Sequence, residues 1–525
     1  IVRMGVQIPR ESDRSGKDDK HGQCRLDIFF HAYFSVPRSR GYLVCFALRY
    51  TVWHMRQKKS DSTGSASDKK SPSAWERVRT WFGTKQARIV VLSLFAVQSL
   101  LLLFVTNFGT PPDESNHWKF INFYANNSLS PIFSEQTPTY NLGDKTREVD
   151  YMYHYVMSLV VRILPFSEDV ERYIIRLFSL GFAVLSFVFL AKVLRKLHLS
   201  ETMSTVTILI LSQLSMVLMM SSAVNNDTLV WLGMMVGLWL LLEIWERPRV
   251  PQVLGLLLLL SYGGLVKRTL LPIAVAILGV AAVLIWQKRQ MFWGELKRAV
   301  KRPTPLIIVL ALLVMLGAGL STERIGGNLL TYNKIVPTCE DVQGEEACYG
   351  FWASIRAREL AARPPEPQLA LPAFTAHWFW ESFKNILDIQ TQGWRHEVVP
   401  PLWMTPVSLL LVGIGLVFGA TYDGRRLRRE EGARKRLVVL AICLFYMLFH
   451  LLYNFSEYRH IHVLGIALNG RYILAGLFPI VGLAVFYWSA LLRKQPVMRT
   501  ILAVLVIGGL AIWSGLSLLL RNPQL

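Results

Sequence analysis

With 525 residues, 52% of them hydrophobic, the chain holds far more apolar sequence than one soluble core can use. Repeated apolar runs of bilayer length make it an all-α polytopic membrane protein and exclude a wholly soluble one. A net charge of +21, from 57 Lys and Arg against 36 Asp and Glu, would point to nucleic acid in a soluble protein. Here the basic clusters lie mainly between apolar runs, where the positive-inside rule accounts for them, and no basic–aromatic module is visible, so no nucleic-acid partner is expected.

Residues 1–54 are polar, basic and aperiodic, with an apolar patch at 41–53 too short to span a bilayer and interrupted by Arg49. Met55-Arg56-Gln57-Lys58-Lys59 reads as a second, more ordinary beginning, and 1–54 as an extended start or upstream translation. The Ser/Lys/Asp-rich stretch 60–73 is expected to be disordered, and the basic, aromatic stretch 75–88 to be a juxtamembrane helix. Residues 1–88 thus read as a basic cytoplasmic tail.

The first span is 89–106. Beyond it stands Thr110-Pro111-Pro112-Asp113-Glu114-Ser115-Asn116-His117-Trp118. The prolines stop the preceding helix. Asp113 and His117 would share one face of a helix starting here, with Pro112 or Asp113 in its first turn, where the dipole favours anions. Taken alone, such a pair is a helix start with solvated acids; charge this close to hydrocarbon is costly and usually has a purpose. Further on, Tyr151-Met152-Tyr153-His154-Tyr155 opens a stretch that reads as an interfacial helix with its tyrosines at headgroup level.

Later spans are expected at 173–193, 205–224, 228–244, 253–266, 270–286, 306–320, 402–420, 437–453, 473–492 and 501–520, making about eleven in all. Every alternate connection is basic: Arg195/Lys196, Arg247/Arg249, 288–302, 425–436 and 493–499. That pattern places the N-terminus in the cytoplasm and the C-terminus outside, with two large external loops, 107–172 and 321–401. A re-entrant 253–266 would reverse the parity and put 425–436 outside, so it counts as a span.

Several polar groups fall on the external side. Asn225-Asn226-Asp227 suits a tight turn and could also orient a sugar or metal. Lys267 and Arg268 suit snorkelling anchors at a helix end. Arg471 is more telling, since nothing in the positive-inside rule asks for arginine there, and guanidinium matches phosphate geometry. His450, Glu457, Arg459, His460 and His462 are spaced irregularly for zinc and read as a polar cavity wall. The aromatics of 377–383 could anchor at the interface or form a lid, with Trp394-Arg395-His396-Glu397 at the same level. Cys339 and Cys348 can pair if their loop is outside. No hydrolase triad, Walker loop or dinucleotide fingerprint occurs in suitable context, so a donor substrate would have to supply the energy of any reaction.

The segment PPDE-x-x-H, followed in order by Val224-Asn225-Asn226-Asp227, Gly264-Leu265-Val266-Lys267 and Asn469-Gly470-Arg471-Tyr472, resembles the motif set of the GT-C superfamily of membrane glycosyltransferases. More narrowly, it looks like a bacterial polytopic membrane family of that architecture, with the similarity running over roughly 89–492. The resemblance implies a GT-C-like transmembrane domain over 89–520, sited in a bacterial plasma membrane. It also implies transfer of a sugar from a polyprenyl-phosphate donor to an external acceptor: a cell-envelope glycan, glycolipid or protein. Asp113 would be the general base, alone or jointly with a divalent cation (Mg or Mn) that it helps bind. Glu114 and His117 would position Asp113, acceptor or metal. Lys267, Arg268 and Arg471 would hold the donor phosphate, and Asn226, Asp227, Tyr153, His154, Trp394 and Tyr472 would meet substrate. Membrane lipids are the remaining expected partners. The rival from another class is a transporter or flippase of lipid-linked saccharides, using the same cations with Asp113 as an ion-coupling group; no inverted repeat or matched pair of broken spans favours it.

Overall fold

The computed structural model describes residues 74–126, 147, 149–164, 166–349, 354–355, 358–359, 362, 368–390, 396–398, 403–461, 464 and 470–513, all within one unit, Pro72–Leu525. The expectations for 1–73, Trp394, Arg395 and His462 lie outside the described residues.

Helix α1 (Ala74–Phe82) turns into α2 (Lys85–Val105), whose first turn is capped by the Thr84 hydroxyl accepting from the Ala87 amide at 3.2 Å. Next come α3 (Glu114–Asn126), α4 (Met152–Ile163) and the long α5 (Glu168–Lys196). A bent pair follows, α6 (Glu201–Ser212) and α7 (Ser215–Ser221), then α8 (Asp227–Glu246), α9 (Val250–Val266) and α10 (Leu270–Gln287). The amphipathic α11 (Arg289–Lys301) leads to α12 (Pro305–Ser321), which runs through a π-turn into α13 (Gly327–Tyr332). Short α14 (Cys339–Gln343) and α15 (Glu345–Cys348) are joined by a Cys339–Cys348 disulfide. Helix α16 (Leu371–Leu387) is followed by β1 (Ile389–Gln390), which pairs antiparallel with β2 (His396–Val398). Helices α17 (Met404–Gly424), α18 (Glu431–Ile461), α19 (Leu474–Leu491) and α20 (Pro496–Trp513) complete the described chain.

Among the described residues, eight helices are long and apolar enough to cross a membrane. Three expected spans depart from that standard. The span at 205–224 is broken by a 76° bend between α6 and α7, and those at 253–266 and 501–520 are shorter apolar helices. The bend falls at Gln213-Leu214, where the chain leaves α6 and re-enters a helix at Ser215. An apolar run in sequence does not reveal such a break, because hydropathy is blind to backbone direction.

Successive long helices alternate in sense, so their connections gather at two ends. One end carries the basic connections, tied by Arg88 to Glu201, Lys196 to Glu243 (2.8 Å) and Arg247 to Glu295 (2.7 Å). The other end carries Asp113, Asn226, Lys267 and Arg471. Helix α9 runs from the first end, where Arg249 is capped by Gln252 (2.9 Å), to the second, where its last turn meets Asn226 (3.1 Å). It therefore crosses the bundle rather than folding back. The basic segment 425–436 is not uniformly solvated. Lys435 and Arg436 are buried, and Arg436 forks onto Asp423 with two bonds of 2.7 Å. Tyr487 donates to the same carboxylate at 2.8 Å, stapling α17, α18 and α19.

Aromatic packing fills the centre. Phe187 of α5 stacks on Phe478 of α19 (5.4 Å), which also meets Trp231 of α8 (5.3 Å), and Phe95 of α2 closes edge-on against Phe187 (5.0 Å). Helix α4 corrects one expectation. Tyr151 and Tyr153 are buried in the protein instead of standing at headgroup level, and Val156, Leu159 and Ile163 form its exposed face. Period-3.6 geometry forces this choice: residues 153, 154 and 157 share a face, and that face packs on α3. Likewise Trp378 and Phe383 of α16 are core residues rather than interface anchors, and Phe374 one turn before Trp378 stacks on Tyr458 at 5.1 Å.

Candidate active site

Site geometry begins with Asp113. Its φ of 62° is left-handed, a conformation that Asp tolerates better than most residues. The helix therefore starts at Glu114 rather than at Pro112 or Asp113, although the Asp113 carbonyl accepts from the His117 amide at 2.9 Å. This kink separates two adjacent carboxylates. Glu114 turns inward, fully buried, and takes two bonds of 2.7 Å from the Arg176 guanidinium. It also accepts from the backbone amides of Val224 and Gly109, both at 2.9 Å. Arg176 spends its remaining donors on the carbonyls of Leu103 (2.7 Å) and Thr106 (3.0 Å). With four donors on one carboxylate, Glu114 locks the end of α2, α5 and the turn before α8 into one frame.

Asp113 instead faces Arg471, to which it is hydrogen-bonded. Arg471 also donates to the Pro112 carbonyl (3.2 Å) and the Tyr472 hydroxyl (3.0 Å), and its Nε lies 3.8 Å from Asp227. Burial alone would raise the Asp113 pKa, but the Arg471 charge and hydrogen bond outweigh it and bring the group down to about 2. The 3-10 turn Gly470–Ile473 holds Arg471 in place. A Cβ on Gly470 would come within 2.2 Å of the Ser382 carbonyl on α16, so only glycine lets this turn sit so close.

Asp227 opens α8, and the Asn225 carboxamide oxygen caps it by accepting from the Asp227 and Thr228 amides at 2.9 and 3.3 Å. Lys267 follows the last turn of α9 and is buried, its ammonium bonded to Asp227 and 5.1 Å from the Tyr472 ring centre. Two cations and two carboxylates thus alternate as Asp113, Arg471, Asp227 and Lys267. His117 stacks on His154 with ring centres 5.1 Å apart, and its Nδ1 lies 2.8 Å from Nε2 of His154. Burial, then the His154 neighbour, holds the His117 imidazole well below its usual range.

Of the expected site residues, the structure gathers Asp113, Asn226, Asp227, Lys267, Arg471 and Tyr472 directly, with His117, His154 and Tyr153 alongside. Arg268 faces another way, 3.6 Å from Asp150 and half exposed. Glu114 serves the frame rather than the cluster. Trp394 lies outside the described residues. Sequence reading missed Arg176; its one signal was a charge set eight residues inside an apolar helix. For a divalent cation the fit is poor. Both cluster carboxylates already face protein cations, and among the described residues no three His, Cys, Asp or Glu side chains converge to hold a metal.

A family model described as dolichyl-phosphate-mannose-protein mannosyltransferase matches residues 149–318. That match covers about a third of the chain and makes this segment similar to GT-C membrane glycosyltransferases. Within the matched segment fall α4 to α11 and most of α12, with Tyr153, His154, Asn226, Asp227 and Lys267, whereas Asp113 and Arg471 lie outside it. No curated protein matches the sequence. Two solved structures of the Archaeoglobus fulgidus oligosaccharyltransferase are similar, each at 11% identity. The apo form aligns over 85% of this chain with a TM-score of 0.37, and the complex with Zn and sulfate over 81% with a TM-score of 0.39. The alignments span 57% and 52% of those longer chains.

Proposed function

We propose that this protein is a GT-C glycosyltransferase that transfers a sugar from a polyprenyl-phosphate donor to a hydroxyl acceptor on the external membrane face. The observation that carries the reading is convergence: Asp113 and Arg471, 358 residues apart in sequence, meet in one cluster with Asp227 and Lys267. An apolar groove of about 630 Å³ between α16, α17, α18 and α19 adds support, lined by Phe383, Leu409, Leu448, Leu451, Leu477 and Ile480. Leu477 lies one and a half turns beyond Arg471, roughly 10 Å along the chain, so a lipid tail in the groove could place its phosphate at the cluster.

The reaction follows from these roles. The acceptor oxygen attacks the sugar C1, the bond from C1 to the phosphate oxygen breaks, and its electron pair leaves with the phosphate. Asp113 takes the acceptor proton. Held at about 2 by Arg471, Asp113 is anionic but weakly basic. A donor phosphate that shares Arg471 loosens this hold and raises its basicity. Arg471 and Lys267 then stabilise the charge growing on the leaving phosphate. Neither charge is supplied by a metal in this scheme, since the donor set does not fit one.

The transporter reading gains one observation, the bend between α6 and α7 just before the Asn225-Asn226 turn. Repeat-built transporters show such breaks at corresponding places in both halves, and among the described residues this is the sole bent pair that passes as one span. One assay separates the two readings. Reconstituted protein given labelled lipid-phosphate sugar should move the sugar to a new carrier, and Asp113→Asn should cut that rate by about 10²–10⁴-fold while donor binding survives. Label that only changes leaflet, or wild-type transfer by Asp113→Asn, would overturn the proposal.

A further inference from the structure

We propose that His450, with Asn226 and Asp227, forms the subsite for the donor's sugar, recognising its hydroxyl groups; the subsite rests on the lipid-linked donor proposed above. Three buried polar atoms carry the case: Asn226 Oδ1, Asp227 Oδ2 and His450 Nε2 have no hydrogen-bond partner among the described residues. Their residues are 2, 3 and 3% exposed. Folded proteins pair nearly all buried polar atoms, so several left open around one cluster call for an explanation outside the chain.

Each of the three is held by its other contacts. The Asn226 amide nitrogen donates to the Val266 carbonyl at 3.1 Å, which fixes the direction of Oδ1. Lys267 engages Asp227 Oδ1, leaving Oδ2 at 3.8 Å from Arg471 Nε, beyond hydrogen-bond range. The His450 ring meets the Tyr446 ring at right angles, 4.5 Å between centres, and lies parallel to Tyr472 at 6.4 Å. Tyr472 in turn has the Lys267 ammonium near its ring and the Arg471 guanidinium 4.9 Å from its centre. His450 therefore reaches the phosphate-binding end of the site from α18, an element that contributes none of the four charges.

The chemistry of the open atoms selects the ligand. A carboxamide oxygen and a carboxylate oxygen only accept, and a neutral imidazole nitrogen accepts or donates according to tautomer. Their complement is a group rich in O–H donors held beside an anion. A sugar hydroxyl array meets that description; a bare phosphate, which mainly accepts, does not.

The experiment uses the full chain in lipid nanodiscs and compares binding of polyprenyl phosphate with binding of dolichyl-phosphate mannose and a panel of other polyprenyl-phosphate hexoses. Wild type should prefer at least one sugar lipid over the bare carrier. His450→Phe should lose roughly three- to tenfold of that preference, as for one hydrogen bond, with bare-carrier binding unchanged. His450→Gln, which keeps a polar end, should recover part of it. An unchanged preference in His450→Phe would overturn the role of His450. Wild-type binding of the bare carrier with no gain from any sugar would overturn the subsite and leave the phosphate site standing. Binding of neither lipid would remove the donor reading and the subsite with it.

Discussion

Asp113 and Glu114 are neighbours in sequence with opposite environments, and a left-handed backbone at Asp113 is what parts them. Glu114 is wholly paired with Arg176 inside the protein, so removing Arg176 leaves a buried carboxylate uncompensated. Arg176→Met is expected to destabilise the fold by about 3–5 kcal/mol, and Arg176→Lys to recover only part, because an ammonium cannot fork across two oxygens. Thermal unfolding in detergent checks this; an unchanged midpoint in Arg176→Met would contradict it. For Asp113 the sign is fixed by its lowered pKa. Its contribution to stability is full above about 3.8 and is lost as pH falls toward about 2. The gap in unfolding temperature between wild type and Asp113→Asn should therefore narrow between pH 4 and pH 2, and a gap that widens would reverse the assignment. Sequence sufficed to single out Asp113, Lys267 and Arg471, because charge beside hydrocarbon is conspicuous. It could not divide Asp113 from Glu114, since that division depends on one backbone dihedral and on an arginine 62 residues away.

Elements matter here mainly at their ends. The Gly470–Ile473 turn brings Arg471 to Asp113 only because its glycine nests against the α16 backbone. Gly470→Ala should push the turn outward, costing about 1–3 kcal/mol of stability and weakening donor binding along with it. Paired unfolding and binding measurements test the coupling: a variant with normal binding would show that the turn has room to shift. Helical periodicity made α2, α5, α8 and α19 legible from apolar runs alone. The inward turn of Tyr151 and Tyr153 was not, because a tyrosine suits a headgroup or a core equally well until the helix packed against it is known. The same holds for Lys435 and Arg436, whose partners Glu246 and Asp423 come from other helices.

For the whole molecule, the decisive feature is the sorting of connections to two ends. If the basic end is cytoplasmic, Lys334 and Arg428 should lie on opposite sides of the membrane. Single cysteines at these exposed positions, probed with an impermeant thiol reagent on sealed cells, should label from outside only at 334. Labelling of both from one side would refute the topology. Alternating basic loops made the gathering of these connections at one end readable from sequence, since they share a charge. The number of full-length spans was less readable, because α9 is short and α6 bends into α7.

The alternation of Asp113, Arg471, Asp227 and Lys267 has a bearing on turnover. A site of naked cations would grip the spent lipid phosphate as firmly as the donor and stall after one cycle. In the proposed reaction, two carboxylates would stand ready to reclaim Arg471 and Lys267 as soon as the sugar has gone. The protein carries its own competitor for the product, so we expect carrier release to be an exchange of anions rather than a bare dissociation. On that scheme affinity for the donor would be capped by design, and what is given up in grip would return as speed of discharge.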